Sequence, residues 1–391
     1  MQRSIGVPQR RARLALRHRL AAPGAADVAQ VARDLVAVHA TDPATVFLSI
    51  RARLPGVGPP GIEQALYEDR TVLRMLAMRR TMFVVPLDLV PVVQAAASAA
   101  VAAEQRKRLI VFIGDSDVGT DAARWLAAAE AETLAVLTAR GEATATELSR
   151  EVPLLRQPLR LGIGTKWETV QGASGRVLLQ LGAEGRVGRG RPRGTWISSQ
   201  YRWAPIDAWI PGGIPALDPA DARRELLRRW LARFGPGTIA DLRWWTGWTA
   251  RLVQQGLAGI AVEDVDLDGR PGIVLAGDGE PVAEPDPWVA LLPALDTTVM
   301  GWKDRDWYLG GHGPALFDRN GNAGPTLWCA GRVVGGWGQR PDGDVVFRLL
   351  EDIGQEAIAA VEAEAARLTA WLDGVRVVPR FSTPLQRELS S

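Results

Sequence analysis

The chain has a single cysteine, Cys329, in 391 residues, which excludes an internal disulfide and points to a reducing compartment. Its three histidines, His18, His39 and His312, stand in no HExxH or CxxC-like spacing with one another or with the cysteine, so no zinc site is expected. Long apolar runs are also missing. The longest, Leu89 to Ala103, is interrupted by Pro91, Gln94 and Ser98 and falls short of the ~20 residues that a membrane-spanning helix needs. It reads as a core or linker helix. The N-terminal segment carries Arg3, Arg10, Arg11, Arg13, Arg17 and Arg19 without the apolar stretch of a signal peptide, and a cytoplasmic location is expected. Lysine is scarce. Only Lys107, Lys166 and Lys303 contribute to the 46 basic residues, the rest being arginines, the better side chain for bidentate contact with phosphate.

What is present is a core-forming balance of 47% hydrophobic and 23% charged residues, with a length that allows two to four domains. The net charge is only +2, so its distribution carries more than its sum. Arg186, Arg189, Arg191, Arg193 and Arg202 occur in a stretch ending at Trp203 with no acidic residue among them. Glu263 to Asp286 reverses this, with eight acids against Arg270 alone.

These two stretches occupy the same place in an internal repeat. Thr133 to Ser149 and Leu227 to Thr246 each read as an amphipathic helix, a glycine break, and a threonine with an acid three residues later, the signature of a capped second helix. A third helix is expected at about Lys166 to Leu181 in the first copy and Thr249 to Leu257 in the second. Two strands follow in each, Val187–Gly188 with Thr195 to Tyr201, then Val262 to Leu267 with Gly272 to Leu275. Three helices and a hairpin make a winged helix. A weaker N-terminal copy has helices from about Gln9, Ala26, Pro43 and Gly61, strands Thr71 to Met75 and Thr81 to Val85, and Arg79 and Arg80 in the turn. After Pro287, strand-like runs Val289 to Trp307, Val333 to Trp337 and Val345 to Leu349, the turn dipeptide Asn320-Gly321, and a helix from about Gln355 to Trp371 read as a small β domain with its tryptophans in the core. The fold class is therefore α+β, mainly α: three tandem winged helices (1–86, 87–215 and 216–286) and a β-rich domain (287–391). A basic wing suits phosphate contact and an acidic one does not, so Arg186, Arg189, Arg191 and Arg193, with Arg79 and Arg80, are the expected DNA contacts.

The catalysis-grade polar cluster is His39-Ala40-Thr41-Asp42-Pro43. Asp42 followed by Pro43 reads as an N-cap and first helical position, with an upstream helix stopping at or before His39, so the cluster falls where two helices meet. Residue types alone favour a helix end with its cap over a catalytic cluster.

The blocks LVAVHATDPATVFLSIRARL, MRRTMFVVP, LLPALDTTVMGWKDRDWYLG and LFDRNGNAGPTLWCAGRVVGGW resemble those of the bacterial winged-helix DNA glycosylases, the family of azinomycin-resistance and YcaQ-type crosslink-unhooking enzymes, over nearly the whole chain. The resemblance implies a C-shaped body around duplex DNA and hydrolysis of the N-glycosidic bond of N3- or N7-alkylated purines, including bulky adducts and interstrand crosslinks. It implies no metal or organic cofactor, and neither a membrane nor an obligate protein partner. Where the family carries Gln-x-Gln or Gln-x-Asp before Asp-Pro, this chain has His39-Ala40-Thr41. Carried over, His39 would act as a neutral base toward water, Thr41 would orient that water, and Asp42 would stabilise developing positive charge. Arg319, Asn320 and Asn322 would probe the minor groove, or form an ordinary β-turn. A non-catalytic winged-helix DNA-binding protein or transcriptional regulator is the alternative function.

Overall fold

Three capped helix starts fix where the chain turns. In the computed structural model, which describes residues 3–116, 118, 121–166 and 168–391, Asp42 accepts from the Ala44 amide at 3.1 Å, with Pro43 opening the helix Pro43–Arg51. Thr144 and Thr238 each close a capping box, with Glu147 and Asp241 respectively. Each box satisfies two backbone amides that a helix start otherwise leaves unpaired.

In the first unit, helices Val28–Asp34 and Pro43–Arg51 and the helical turns Pro59–Glu63 and Gln64–Glu68 precede the antiparallel strands Val72–Leu76 and Met82–Pro86. A short third strand, Val38–His39, pairs with Met82–Pro86 and sets His39 opposite Phe83. The second unit has helices Ala122–Arg140, Ala145–Glu151 and Ser174–Ala183, then strands Val187–Pro192 and Tyr201–Pro205, the latter also paired with Ala143–Thr144. The third has Pro219–Phe234, Ile239–Thr246 and Ala250–Leu257, then Val262–Asp266 and Pro271–Leu275. Its third strand comes from the N-terminal segment. Arg3–Ser4 runs parallel to Val262–Asp266, and the helix Val7–Arg17 follows directly.

Several expected elements shift. The third helix of the second unit begins at Ser174, because Thr169–Gly172 pairs with Pro158–Leu161 in a small hairpin ahead of it; Trp167 lies outside the described residues. The β-branched Thr169 and Val170 favour extended backbone there over a first helical turn. The second hairpin is also longer than expected, with Arg189 and Arg191 inside the strand Val187–Pro192. Of the run from Val289 to Trp307, only Val289–Leu292 is a strand.

The C-terminal domain is a four-stranded antiparallel meander, Val289–Leu292, Thr326–Cys329, Arg332–Gln339 and Val345–Leu349, against which the helix Gln355–Leu372 packs. Trp230, Trp245, Trp302 and Trp328 are fully buried, so these rings are core. The linker helix Leu87–Gly114 is, by length and composition, long and apolar enough to cross a membrane. Here Val90, Val93, Ala96 and Ala97 are buried in the largest core cluster, and Leu109 and Ile113 in the core of the second unit.

Candidate functional site

The His39–Asp42 segment is held from the far end of the sequence. The His39 amide donates to Thr297 Oγ1 at 2.9 Å, and that hydroxyl donates to the Ala37 carbonyl at 3.1 Å. Beside it, Asp296 accepts from Arg53 Nη2 and Nη1 at 2.8 and 3.0 Å, from Ser49 Oγ at 2.6 Å and from the Thr298 amide at 2.8 Å. Arg53 and Asp296 are both fully buried. The sequence block around Leu295-Asp296-Thr297-Thr298 thus acts as a clamp on the segment, a role that its position more than 240 residues away does not reveal.

His39 does not enter a cavity. The side chain is 3% exposed, meets Phe83 edge to face at 5.1 Å between ring centres, and leaves Nδ1 without a partner. Burial, with Arg79 and Arg74 adding to it, pushes the imidazole pKa down to about 3. It is neutral at physiological pH, as expected, and its side chain packs in the interior. Asp42 is equally committed. Its Oδ1 caps Ala44 and its Oδ2 accepts from the Arg380 amide at 3.0 Å, tying the C-terminal loop to the segment.

Thr41 does face a cavity. Its Oγ1 is buried without a partner, and the residue lines a space of about 460 Å³ together with Thr144, Arg189, Arg193, Tyr201 and Arg380. The Tyr201 hydroxyl is likewise buried and unpartnered. Its ring lies 4.8 Å from the Arg74 guanidinium and 5.4 Å from that of Arg189. Two hydroxyls without partners on residues that line one arginine-rich cavity mark a place where a hydrogen-bonding group from outside the protein would complete the local bonding. Sequence reading missed Tyr201, Arg74 and Arg380; the first sits at the end of the arginine-rich stretch, whereas the other two carry no local signal.

The arginines of the second hairpin are not the free phosphate ladder that their spacing suggests. Arg191 pairs with Glu63 at 2.5 Å and Glu68 at 3.1 Å, Arg186 lies 3.8 Å from Glu130, and Arg202 pairs with Glu142 at 2.7 Å. The loop of the hairpin is itself docked, with Trp196 against Phe47 and Trp371 at 4.8 and 5.7 Å. The missing acids come from other elements. Arg189 sits over Trp203 at 5.2 Å, and burial, then Arg74 and Arg380, lower its pKa to about 10. Arg193 is exposed at the cavity and makes no ion pair among the described residues. The salt dependence of DNA binding should therefore fall by about one unit of slope in Arg193→Ala and stay unchanged in Arg186→Ala. Titrations of a labelled duplex at several salt concentrations check this, and equal slopes in all three proteins would remove Arg193 from the interface.

In the first hairpin, Arg79 (φ 53°) lies over the Trp244 ring at 4.0 Å, with Arg305 at 4.6 Å from the same ring. Its pKa falls to about 10 through burial and Arg305, and its guanidinium packs on the ring of the third unit's second helix. Arg80 is exposed. Arg319 and Asn320 are exposed in a turn where Gly321 takes φ +81°, a conformation that costs glycine little. Asn322 is tied by its side-chain amide to Asp318 at 2.9 Å, and the Asp318 carboxylate also accepts from the Asn320 and Asn322 amides. Most of the acidic stretch is exposed, but part of it contacts the N-terminal segment: Asp268 accepts from the Val7 amide, Asp278 pairs with Arg13 and Arg17 at 3.3 and 2.5 Å, and Glu280 with Arg3 at 2.7 Å. Among the described residues no group of His, Cys, Asp and Glu could hold a metal ion.

The model of the family described as DNA glycosylase AlkZ-like matches residues 32–371. The solved structure of Streptomyces sahachiroi DNA glycosylase AlkZ superposes with a TM-score of 0.72 at 21% identity, covering 96% of this chain and 99% of that one, a likeness of fold. No match was found among curated proteins. The family match spans the His39–Asp42 segment, its Asp296–Thr298 clamp and the cavity residues up to Arg193 and Tyr201 alike, and the chain belongs to the AlkZ-like DNA glycosylase family.

Proposed function

We propose that the protein is a monofunctional glycosylase that hydrolyses the N-glycosidic bond of N3- or N7-alkylated purines in duplex DNA, bulky adducts and crosslinks included. In this reading the three helix-and-hairpin units are winged helices, and with the β-rich domain they form a C-shaped body around the duplex. The observation that carries it is the cavity lined by Thr41, Tyr201, Arg189, Arg193 and Arg380, in which two of the lining residues carry hydroxyls without a partner inside the protein.

The chemistry asks little of the protein. An alkylated purine is already cationic, so the C1′–N bond can break with its electron pair passing to a leaving base that needs no proton. Water then bonds to C1′ and releases its proton to solvent. What remains is to hold that water and the sugar in line, which suits Thr41 and Tyr201. Arg189, Arg193 and Arg380 would pair with the phosphates flanking the damaged nucleotide, holding the strand, and those phosphates would offset the arginines' own repulsion of the cationic base.

Parent protein incubated with a duplex containing 7-methylguanine should release the free base under single-turnover conditions. Thr41→Ala and Tyr201→Phe should each slow release roughly tenfold to hundredfold, the effect of one positioned hydrogen bond lost at the transition state, with duplex affinity unchanged. Parent-like rates in both variants would remove the cavity from the reaction. A second reading, a DNA-binding protein without excision, is favoured by one feature, since neither a carboxylate nor His39 is among the cavity-lining residues. Binding of the duplex with no base released would support it.

A further inference from the structure

On the other side of Arg189 and Trp203 lies a second cavity of about 450 Å³, enclosed by the first hairpin, the linker helix Leu87–Gly114 and the helix Ser174–Ala183. Arg74, Arg80, Arg108, Arg176 and Arg189 line it, and no carboxylate among the described residues does. Arg108 is paired with Glu104 at 3.0 Å, on its own helix. The other four make no ion pair among the described residues.

Two of these guanidiniums are costly to keep. Arg74 is 7% exposed, donates one hydrogen bond to the Ala40 carbonyl at 2.9 Å and leaves Nε unpartnered. Arg189 lies close enough for the two to repel, which contributes to its lowered pKa. Asp42 is the one carboxylate whose charge favours Arg74, at longer range than an ion pair, while the charges acting on Arg189 are Arg74 and Arg380, both repulsive; buried like charges with so little counter-charge destabilise the fold. Such a cluster is maintained where an anion completes it. The fork of donors on arginine matches the oxygens of a phosphate group in geometry as well as charge.

The rest of the lining names the anion more closely. Leu109, Phe112 and Leu179 form an apolar wall, and Leu179 is 42% exposed, the large apolar residue that the helix Ser174–Ala183 leaves to solvent. An apolar face beside an arginine cluster fits a sugar joined to its phosphate. The volume is in the range of about 300–1,000 Å³ that accommodates one small molecule, so it takes a single nucleotide unit and no duplex. This cavity and the one at Thr41 share Arg189 and Trp203 and so adjoin, close enough for neighbouring units of one strand to occupy both.

We propose that this arginine cavity binds one phosphodiester of the damaged DNA strand, next to the nucleotide held at Thr41, and so sets the register of the lesion. The register rests on the excision reading above; the phosphate site itself does not.

The test uses the full chain and a duplex with a non-cleavable abasic analogue, so that binding is read without excision. Phosphates flanking the analogue are replaced one at a time by uncharged methylphosphonate. One position should weaken binding about tenfold or more, the loss expected for a charge-assisted contact, and the others distinctly less. The doubly substituted Arg80→Gln, Arg176→Gln protein should lose similar affinity for the all-phosphate duplex and lose nothing further from methylphosphonate at that one position. Both side chains lie at the surface end of the cluster, and a thermal melt matching the parent confirms that the variant folds. Arg189→Gln should behave alike. Losses that simply add, or a methylphosphonate series with no preferred position, overturn the proposal. So does a cavity that serves a free anion: inorganic phosphate or pyrophosphate would then raise the melting temperature of the DNA-free parent but not of the double variant, while the methylphosphonate series stayed flat. If the position-specific coupling is found but no base is released from 7-methylguanine duplex, the phosphate site stands and the excision reading falls.

Discussion

Arg53→Ala is expected to destabilise the fold by about 3–5 kcal/mol, the cost of leaving one member of a buried ion pair without the other. Both partners are fully buried, and Arg53 also donates to the His18 and Ser49 carbonyls at 3.0 and 2.8 Å and to Thr298 Oγ1 at 2.8 Å. Removing it therefore strands the Asp296 carboxylate and two backbone acceptors at once. Asp296→Ala should cost a similar amount, leaving Arg53 charged in the core and the Ser49 hydroxyl and Thr298 amide unpaired. The double variant should cost less than the sum of the two, because the unpaired charge is gone in it. Urea unfolding at neutral pH, compared at constant slope, measures all three. Losses below about 1 kcal/mol in each single variant would mean that water reaches the pair and that it behaves as a surface salt bridge. Because Thr297 follows Asp296 directly and carries the hydrogen bond from the His39 amide, base release in surviving protein should drop as well.

Local chemistry was legible where it depends on near neighbours. The Thr144 and Thr238 capping boxes and the Asp42-Pro43 helix start involve residues within three positions of each other, and the structure has all of them. The helix expected from Lys166 failed because helical periodicity could not see that Thr169–Gly172 pairs across a loop with Pro158–Leu161. The arginine-rich hairpin differs from its reading along the chain for another reason. Its charges are real, but the acids that neutralise them, Glu63, Glu68, Glu130 and Glu142, lie on other elements, and charge counted along the chain says nothing of charge arriving across it. The same blindness applies in reverse to the acidic stretch, whose Asp278 and Glu280 meet Arg3, Arg13 and Arg17. At the candidate site the segment was found but its side chains were assigned by type. Whether a side chain beside a cavity points into it depends on strand pairing, and pairing with Phe83 is what places His39 in the interior.

His39 and His18 together should make the protein unusually sensitive to mild acid. His18 is fully buried, holds Thr298 Oγ1 through Nδ1 at 2.8 Å, packs against Phe234 and Trp302, and leaves Nε2 unpartnered. Burial first, then Arg53, pushes its pKa down to about 3, the same value that burial gives His39. A histidine with a folded pKa below its ordinary 6.5 is protonated more readily in the unfolded chain. The stability it permits is complete above pH 6.5 and is lost as pH falls from there toward 3, at about 1.4 kcal/mol per pH unit for each group. Between pH 6.5 and 5 that is about 2 kcal/mol per histidine and about 4 for the pair. The buried carboxylate enters later, since Asp296 is held below its ordinary 3.8 by Arg53 and its hydrogen-bond donors and loses its contribution only under stronger acid. Urea midpoints at pH 7, 6 and 5 thus isolate the two imidazoles. His39→Gln, which places at this position the amide of the family motif, should abolish about half of the pH dependence. It should leave base release at pH 7 near the parent rate, and in the parent that rate should show no rise through pH 6.5, because an imidazole already neutral has no proton to lose there. A His39→Gln protein that keeps the full acid sensitivity, or a parent rate that climbs through pH 6.5, would return His39 to water and to the reaction.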